Sequence, residues 1–155
     1  MQTGFPTLFS PIRIGSMPLR NRLVMSPMET SYGSRKGLPT PRAIAYFEAR
    51  ARGGAGLITL GACTIDPLHP EVPNSLHFGS DEVVAAHREL TDRIHAHGAK
   101  VQPQIVHPGP DGLAPFLSGI PSIGPSVIPG YLTGIPSREL AADELERGED
   151  PQDLL

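Results

Sequence analysis

Gln102 and Gln104 stand two residues apart in the run K-V-Q-P-Q-I-V-H-P-G, Lys100–Gly109. A side-chain amide both donates and accepts hydrogen bonds. If the run is a strand, its period of two puts Gln102, Gln104 and Val106 on one face and Val101, Pro103, Ile105 and His107 on the other. Inside a buried strand an unpaired amide costs roughly 1–3 kcal/mol, so either water or a polar ligand must reach that face. Glu29, Cys63 and the histidines are the other residues whose types could do chemistry. Glu29 reads either as an acid held protonated by burial or, more simply, as a solvent-facing carboxylate. His95 and His97 are two apart on a helix and do not face one site, and His69, His77 and His87 lack ligand spacing, so no metal site is expected; His107, on the face opposite Gln104, reads as an anchor for the loop at the strand end.

The elements that must carry these residues can be read from caps, breakers and periodicity. Residues 1–21 form a lead-in broken by Pro6, Pro11, Gly15 and Pro18, with a hairpin across Ile12–Leu19. Arg22–Ser26, ended by Pro27, reads as a first, fully buried strand. Thr40 caps a helix whose first position is Pro41; Ile44, Phe47 and Ala51 form its apolar stripe and Gly53-Gly54 stops it after Arg52. Gly56–Cys63 is the second buried strand, and the small residues Gly61 and Ala62 leave room for something to approach the backbone. Ser80 is the expected cap of a second helix carrying Val83, His87, Leu90 and Ile94, which Gly98 ends. Lys100–Val106 is the third strand. Residues 22–107 are thus βαβαβ, the signature of a parallel sheet with right-handed crossovers. Residues 108–137 are a Pro/Gly-rich excursion, and 138–155 begin a helix that Gly148 and Asp150-Pro151 interrupt before a solvated acidic tail.

Composition narrows the partners. A 155-residue chain suits one domain, and its 18 Pro and 17 Gly mean that much of it is loop. A net charge of −3 supplies no electrostatic footprint for nucleic acid or an anionic membrane. The lone Cys63 excludes an internal disulfide and any cysteine-built zinc or iron–sulfur site within these residues; a small apolar strand residue is its simplest role. With neither a signal peptide nor an apolar run of membrane length, the expected setting is soluble and cytoplasmic.

Several motifs in order resemble one family. Asn21–Met28 (N-R-L-V-M-S-P-M), Tyr46–Ile58 (Y-F-E-A-R-A-R-G-G-A-G-L-I), Gln104–Gly109 (Q-I-V-H-P-G) and Gly124–Ser126 (G-P-S) are similar to the N-terminal region of the Old Yellow Enzyme, or NADH:flavin oxidoreductase, family. The Glu-Ala-Arg-Ala-Arg-Gly-Gly run most resembles its 2,4-dienoyl-CoA reductase and 2-enoate reductase branch. The resemblance implies an α/β fold, a TIM (β/α)8 barrel holding FMN at the carboxyl ends of its strands and passing hydride from NAD(P)H to an activated C=C bond of an enone or enoyl substrate. This chain would be a partial barrel: about the first three strands and two helices plus the long loop. The resemblance also implies that Ser26, Pro27 and Met28 pass along the flavin, that Ala62 lies against its ring, that Gln104 bonds its pyrimidine edge, and that Tyr32 lies near the substrate. An iron–sulfur cluster and FAD would belong only to a further C-terminal part, as would the catalytic residues, which are unknown here.

Three positions depart from the family pattern: Glu29 replaces a small residue, Pro103 removes a ladder N–H from a strand expected to be central, and Pro110 replaces an Arg. The alternative reading is a non-catalytic truncated remnant or interaction module that self-associates through its open sheet edge.

Overall fold

The computed structural model describes residues 4–147. Its elements in chain order are β1 (Ile12–Ile14), β2 (Met17–Leu19), β3 (Val24–Met25), α1 (Pro41–Arg52), β4 (Leu57–Thr64), β5 (Leu76–His77), α2 (Glu82–Ala96) and β6 (Lys100–Val106). A 3-10 turn (Gly109–Asp111), α3 (Ala114–Leu117), β7 (Ile123–Gly124), β8 (Arg138–Glu139) and α4 (Ala142–Arg147) follow. The interruption expected at Gly148 and Asp150-Pro151 lies outside the described residues.

β3, β4 and β6 run parallel with β4 in the centre, as the βαβαβ reading requires. β5 adds a short parallel pairing to the far end of β4, on the β3 side, and the excursion is tied by a parallel β7–β8 pair. The helices cover one face of the sheet. Ile44, Phe47 and Ala51 of α1 meet Ile58, Leu60 and Cys63 of β4 and Leu90 and Ile94 of α2, all buried. α1 starts as its sequence directs: Thr40 Oγ1 accepts the Ala43 N–H at 3.3 Å, and Pro41 occupies the first turn.

The lead-in closes the amino end of this sheet. β1 and β2 form the expected hairpin, turning at Gly15. Beyond it the Arg20 guanidinium donates to the carbonyls of Ala51 at 2.7 Å, Ala55 at 2.8 Å and His97. Those carbonyls lie at the carboxyl ends of α1 and α2, where a cation is favoured by the helix dipole. One arginine therefore locks both helices to the base of the sheet.

Four expectations are corrected. The first strand shrinks from Arg22–Ser26 to Val24–Met25, and it is not fully buried, since Val24 is 51% exposed. The second strand is Leu57–Thr64, one residue later than expected at each end. Ser80 does not cap α2: Asp81 occupies the N-cap without a side-chain hydrogen bond, and Ser80 offers only its carbonyl, to Val83 N–H at 3.3 Å. Finally, β6 is not a buried strand. Among the described residues it pairs only with β4, so Gln102 and Gln104 are exposed and Ile105 is 63% exposed. That position also accommodates Pro103. Lys100 N–H bonds Gly56 and Val106 C=O bonds Ile65, so the even-numbered residues turn their backbone toward β4 and Pro103 turns its missing donor to the free edge.

One buried group makes stability depend on pH. His87 on α2 donates from Nδ1 to the Val83 carbonyl at 3.0 Å, which leaves Nε2 a buried acceptor with no partner among the described residues. Burial, aided by nearby His77, holds its imidazole below the ordinary value, although the bond to Val83 works the other way. Above about pH 6.5 the ring is neutral in both folded and unfolded chains and nothing is lost. As pH falls through that value the unfolded chain takes up the proton first, so stability drops until the folded ring also titrates. Denaturant midpoints are expected to fall between pH 7 and 5, and His87→Leu should flatten that limb; parallel curves for the two proteins would refute the assignment.

Candidate functional site

The parallel register of β4 and β6 breaks at one place. Leu60 pairs with Pro103 and Cys63 with Ile105, so Gly61 and Ala62 together stand opposite the single residue Gln104. This is a β-bulge, the device by which strands re-aim groups beside functional sites. It frees the Ala62 N–H, which donates to Glu29 Oε2 at 3.2 Å. Glu29 Oε1 accepts the Ser31 N–H at 2.6 Å, bracing the turn that follows the first strand.

The end of β3 lies directly on the bulge. A Cβ built at Gly61 would sit 2.4 Å from Pro27 Cβ and 2.8 Å from Met28 N, so this approach exists because residue 61 has no side chain. What the small residues of the second strand admit is therefore the chain's own Pro27-Met28 segment. The structure thus brings Pro27, Met28, Glu29 and Ala62 together, with Ser26 leading in from β3 and Gln104 alongside on β6. Gln102 has a partner, donating from Nε2 to Thr59 Oγ1 at 3.2 Å, while the exposed Gln104 amide makes no hydrogen bond among the described residues. The cost expected for buried amides does not arise. Tyr32 is set apart: its ring lies edge-on to Tyr46 at 5.6 Å and beneath the Arg42 guanidinium at 3.9 Å, on the first turns of α1.

Two acids give this region its electrostatics. Glu29, expected to face solvent, is half-buried and held by two backbone donors. Glu71 escaped the sequence reading altogether, because a carboxylate in a Pro-rich loop carries no spacing signal. Its Oε2 is buried without a partner among the described residues, and burial and then the nearby charge of Glu29 raise its carboxyl above the ordinary value. The same two causes push the Cys63 thiol up to about 12, so it stays protonated and inert, consistent with a packing role.

Beyond the bulge, the ends of β4 and β6 hold a second cluster. His69 Nδ1 lies 2.6 Å and His107 Nε2 3.8 Å from Asp66 Oδ2. Burial alone would raise the Asp66 carboxyl, but both imidazoles and the Leu68 N–H outweigh it and hold the acid far below the usual range. The expectation that His69 lacks ligand spacing is true along the chain and fails in space, since the ligating atoms of Asp66, His69 and His107 all lie within 4.8 Å of one another. A cleft of about 760 Å³ is lined by Arg35, Lys36, Thr64, Pro67 and His77 among others. None of Ser26, Met28, Ala62 or Gln104 lines it.

The residues at the bulge suit a planar heteroaromatic cofactor in part: a free amide at Gln104, a small residue at Ala62 and a backbone N–H released from the ladder. Glu29, seated on that N–H, is the misfit.

Comparison with known proteins gives this arrangement a lineage. Residues 7–125 match the NADH:flavin oxidoreductase / NADH oxidase family. The chain is 39% identical over 145 residues to an NADH oxidase of Thermoanaerobacter brockii, covering 93% of this chain and 22% of that protein. It is 35% identical to an NADPH dehydrogenase of Listeria monocytogenes, covering 88% and 42%. Among solved structures, an old yellow enzyme homologue from Zymomonas mobilis superposes with a TM-score of 0.80 at 28% identity, over 96% of this chain and 44% of that one. A 2-naphthoyl-CoA reductase shares the fold at a TM-score of 0.87 and 24% identity, over 97% and 25%. The chain spans less than half the length of each of these relatives. With the order β3, α1, β4, α2, β6 matching the opening of such barrels and three quarters of its residues matching the family itself, the chain belongs to the NADH:flavin oxidoreductase / NADH oxidase family as an N-terminal, partial-barrel portion.

Proposed function

We propose that this chain supplies one wall of an FMN site in an NAD(P)H-dependent ene-reductase. The observation that carries the reading is the bulge at Gly61-Ala62 opposite Gln104, with residues 26–28 pressed onto it, at the carboxyl ends of parallel strands where barrel enzymes place their sites. FMN in such a site serves to pass hydride from NAD(P)H to an activated C=C bond of an enone or enoyl substrate. The chain's own residues bind and orient. Ser26, Pro27 and Met28 form the flank, Ala62 offers a small contact and a backbone donor, and Gln104 matches a donor and acceptor on one ring edge. Glu29 must release the Ala62 N–H for that donor to be used. Tyr32, braced by Arg42 and Tyr46 with its hydroxyl unengaged among the described residues, is the substrate-side residue. An iron–sulfur cluster and FAD enter only with a further C-terminal part.

The test is FMN titration of the full chain followed by flavin fluorescence. Binding is expected, and Gln104→Leu should weaken it about 3- to 12-fold, the worth of one hydrogen bond of about 0.7–1.5 kcal/mol. A chain that leaves added FMN unquenched overturns the reading for this portion. A second reading rests on the free edge of β6, with Ile105 63% exposed beside it: an interaction module that pairs strand to strand. Concentration-dependent dimers that form without flavin and disappear in Ile105→Lys would favour it.

A further inference from the structure

We propose that Asp66, His69 and His107 form a site for a divalent transition-metal ion of the zinc class, tying the ends of β4 and β6 to the excursion loop. Local structure first aims the carboxylate. Leu68 N–H donates to Asp66 Oδ1 at 2.8 Å, which leaves Oδ2 to face the two imidazoles. His69 is buried, 8% exposed, and its Nε2 lies 3.3 Å from the Pro121 carbonyl.

His69 Nδ1 lies 2.6 Å from the Asp66 carboxylate oxygen, so in the metal-free cluster a proton on Nδ1 bridges the two. A metal ion would take that proton's place, leaving Nδ1 as the ligand and the ring proton on Nε2, which faces the Pro121 carbonyl at 3.3 Å. An outward hydrogen bond of that kind to a carbonyl orients a metal-bound imidazole.

His107 supplies the third donor, its Nε2 3.8 Å from Oδ2. A tetrahedral ion with bonds of about 2.0–2.2 Å needs donors roughly 3.3–3.5 Å apart. The Asp66–His69 pair must therefore open by under 1 Å, His107 must close on Asp66 by a few tenths of an ångström, and the two ligating imidazole nitrogens, within 4.8 Å of one another, must settle at the same spacing. His107 Nδ1 now accepts the exposed Gly109 N–H at 3.1 Å, and metal binding gives up that bond as the ring proton moves from Nε2 to Nδ1. Two imidazoles with one carboxylate favour zinc and its first-row neighbours over magnesium or calcium, and leave a fourth position for water.

The experiment uses the full chain stripped with chelator and titrated with Co2+ and Zn2+, with no flavin needed. One equivalent is expected to bind, giving visible Co2+ bands, and Zn2+ at about a hundred times its Kd should raise Tm by roughly 5–10 °C. His69→Ala and the more exposed His107→Ala should each weaken binding at least tenfold, whereas His95→Ala, on the solvent side of α2, should leave it unchanged. Absence of stoichiometric binding, or binding that persists in both His69→Ala and His107→Ala, would overturn the proposal and leave a proton as the centre of the cluster.

Discussion

Gly61→Ala is expected to destabilise the chain by about 1–3 kcal/mol, and Gly61→Val by more. The reason is space, since the added Cβ would meet Pro27 Cβ at 2.4 Å, Met28 N at 2.8 Å and Pro27 Cα at 2.9 Å. Two of those three atoms belong to backbone and the other to a rigid ring, so no rotamer change relieves the clash. Relief requires the end of β3 to lift away from β4, which dismantles the flank of the proposed flavin wall. Stability and FMN affinity should therefore fall together, with urea midpoints and flavin titration as the readouts. A Gly61→Ala protein with an unchanged midpoint would show that the β3 end does not press on the bulge.

Phe47→Ala carries the largest expected loss of stability alone. Phe47 is completely buried among Ile44, Ala51, Ile58, Leu90 and Ile94, at the junction of both helices with the central strand. Removing such a ring costs about 3–5 kcal/mol, a large part of the 5–15 kcal/mol that holds a typical domain together. Loss of a cooperative thermal transition by circular dichroism is expected, against a change within about 0.5 kcal/mol for the exposed Ile105→Ser. A cooperative transition for Phe47→Ala within 1 kcal/mol of the parent would show that the core lies elsewhere.

Much of the frame was legible because its signals are local. Thr40, Pro41 and Gly53 bound α1 through caps and dihedral preferences acting within a few residues, and the structure places the helix where they direct. β6 begins and ends where its pattern does, at Lys100 and Val106. Ser80 misled because several adjacent polar residues can start a helix, and which one caps depends on the path of the incoming chain. The burial of β6 misled for a different reason: an apolar run tells what a strand can bury, whereas exposure depends on which neighbours are present. Glu29 on the Ala62 N–H, and Asp66 with His69 against His107, join segments from different βα units, so no spacing along the chain reports them.

From its residues alone the chain determined two helices, a parallel βαβαβ order and a family, because periodicity, capping and motif order are properties of neighbours in sequence. Tertiary structure alone decided the bulge that sets two β4 residues against Gln104, the seat of Glu29, the isolation of Glu71 and the meeting of two imidazoles on one carboxylate. Those depend on strand register and on how loops fold across strand ends. A shift of one residue in register would leave every local preference satisfied and place different side chains at the site.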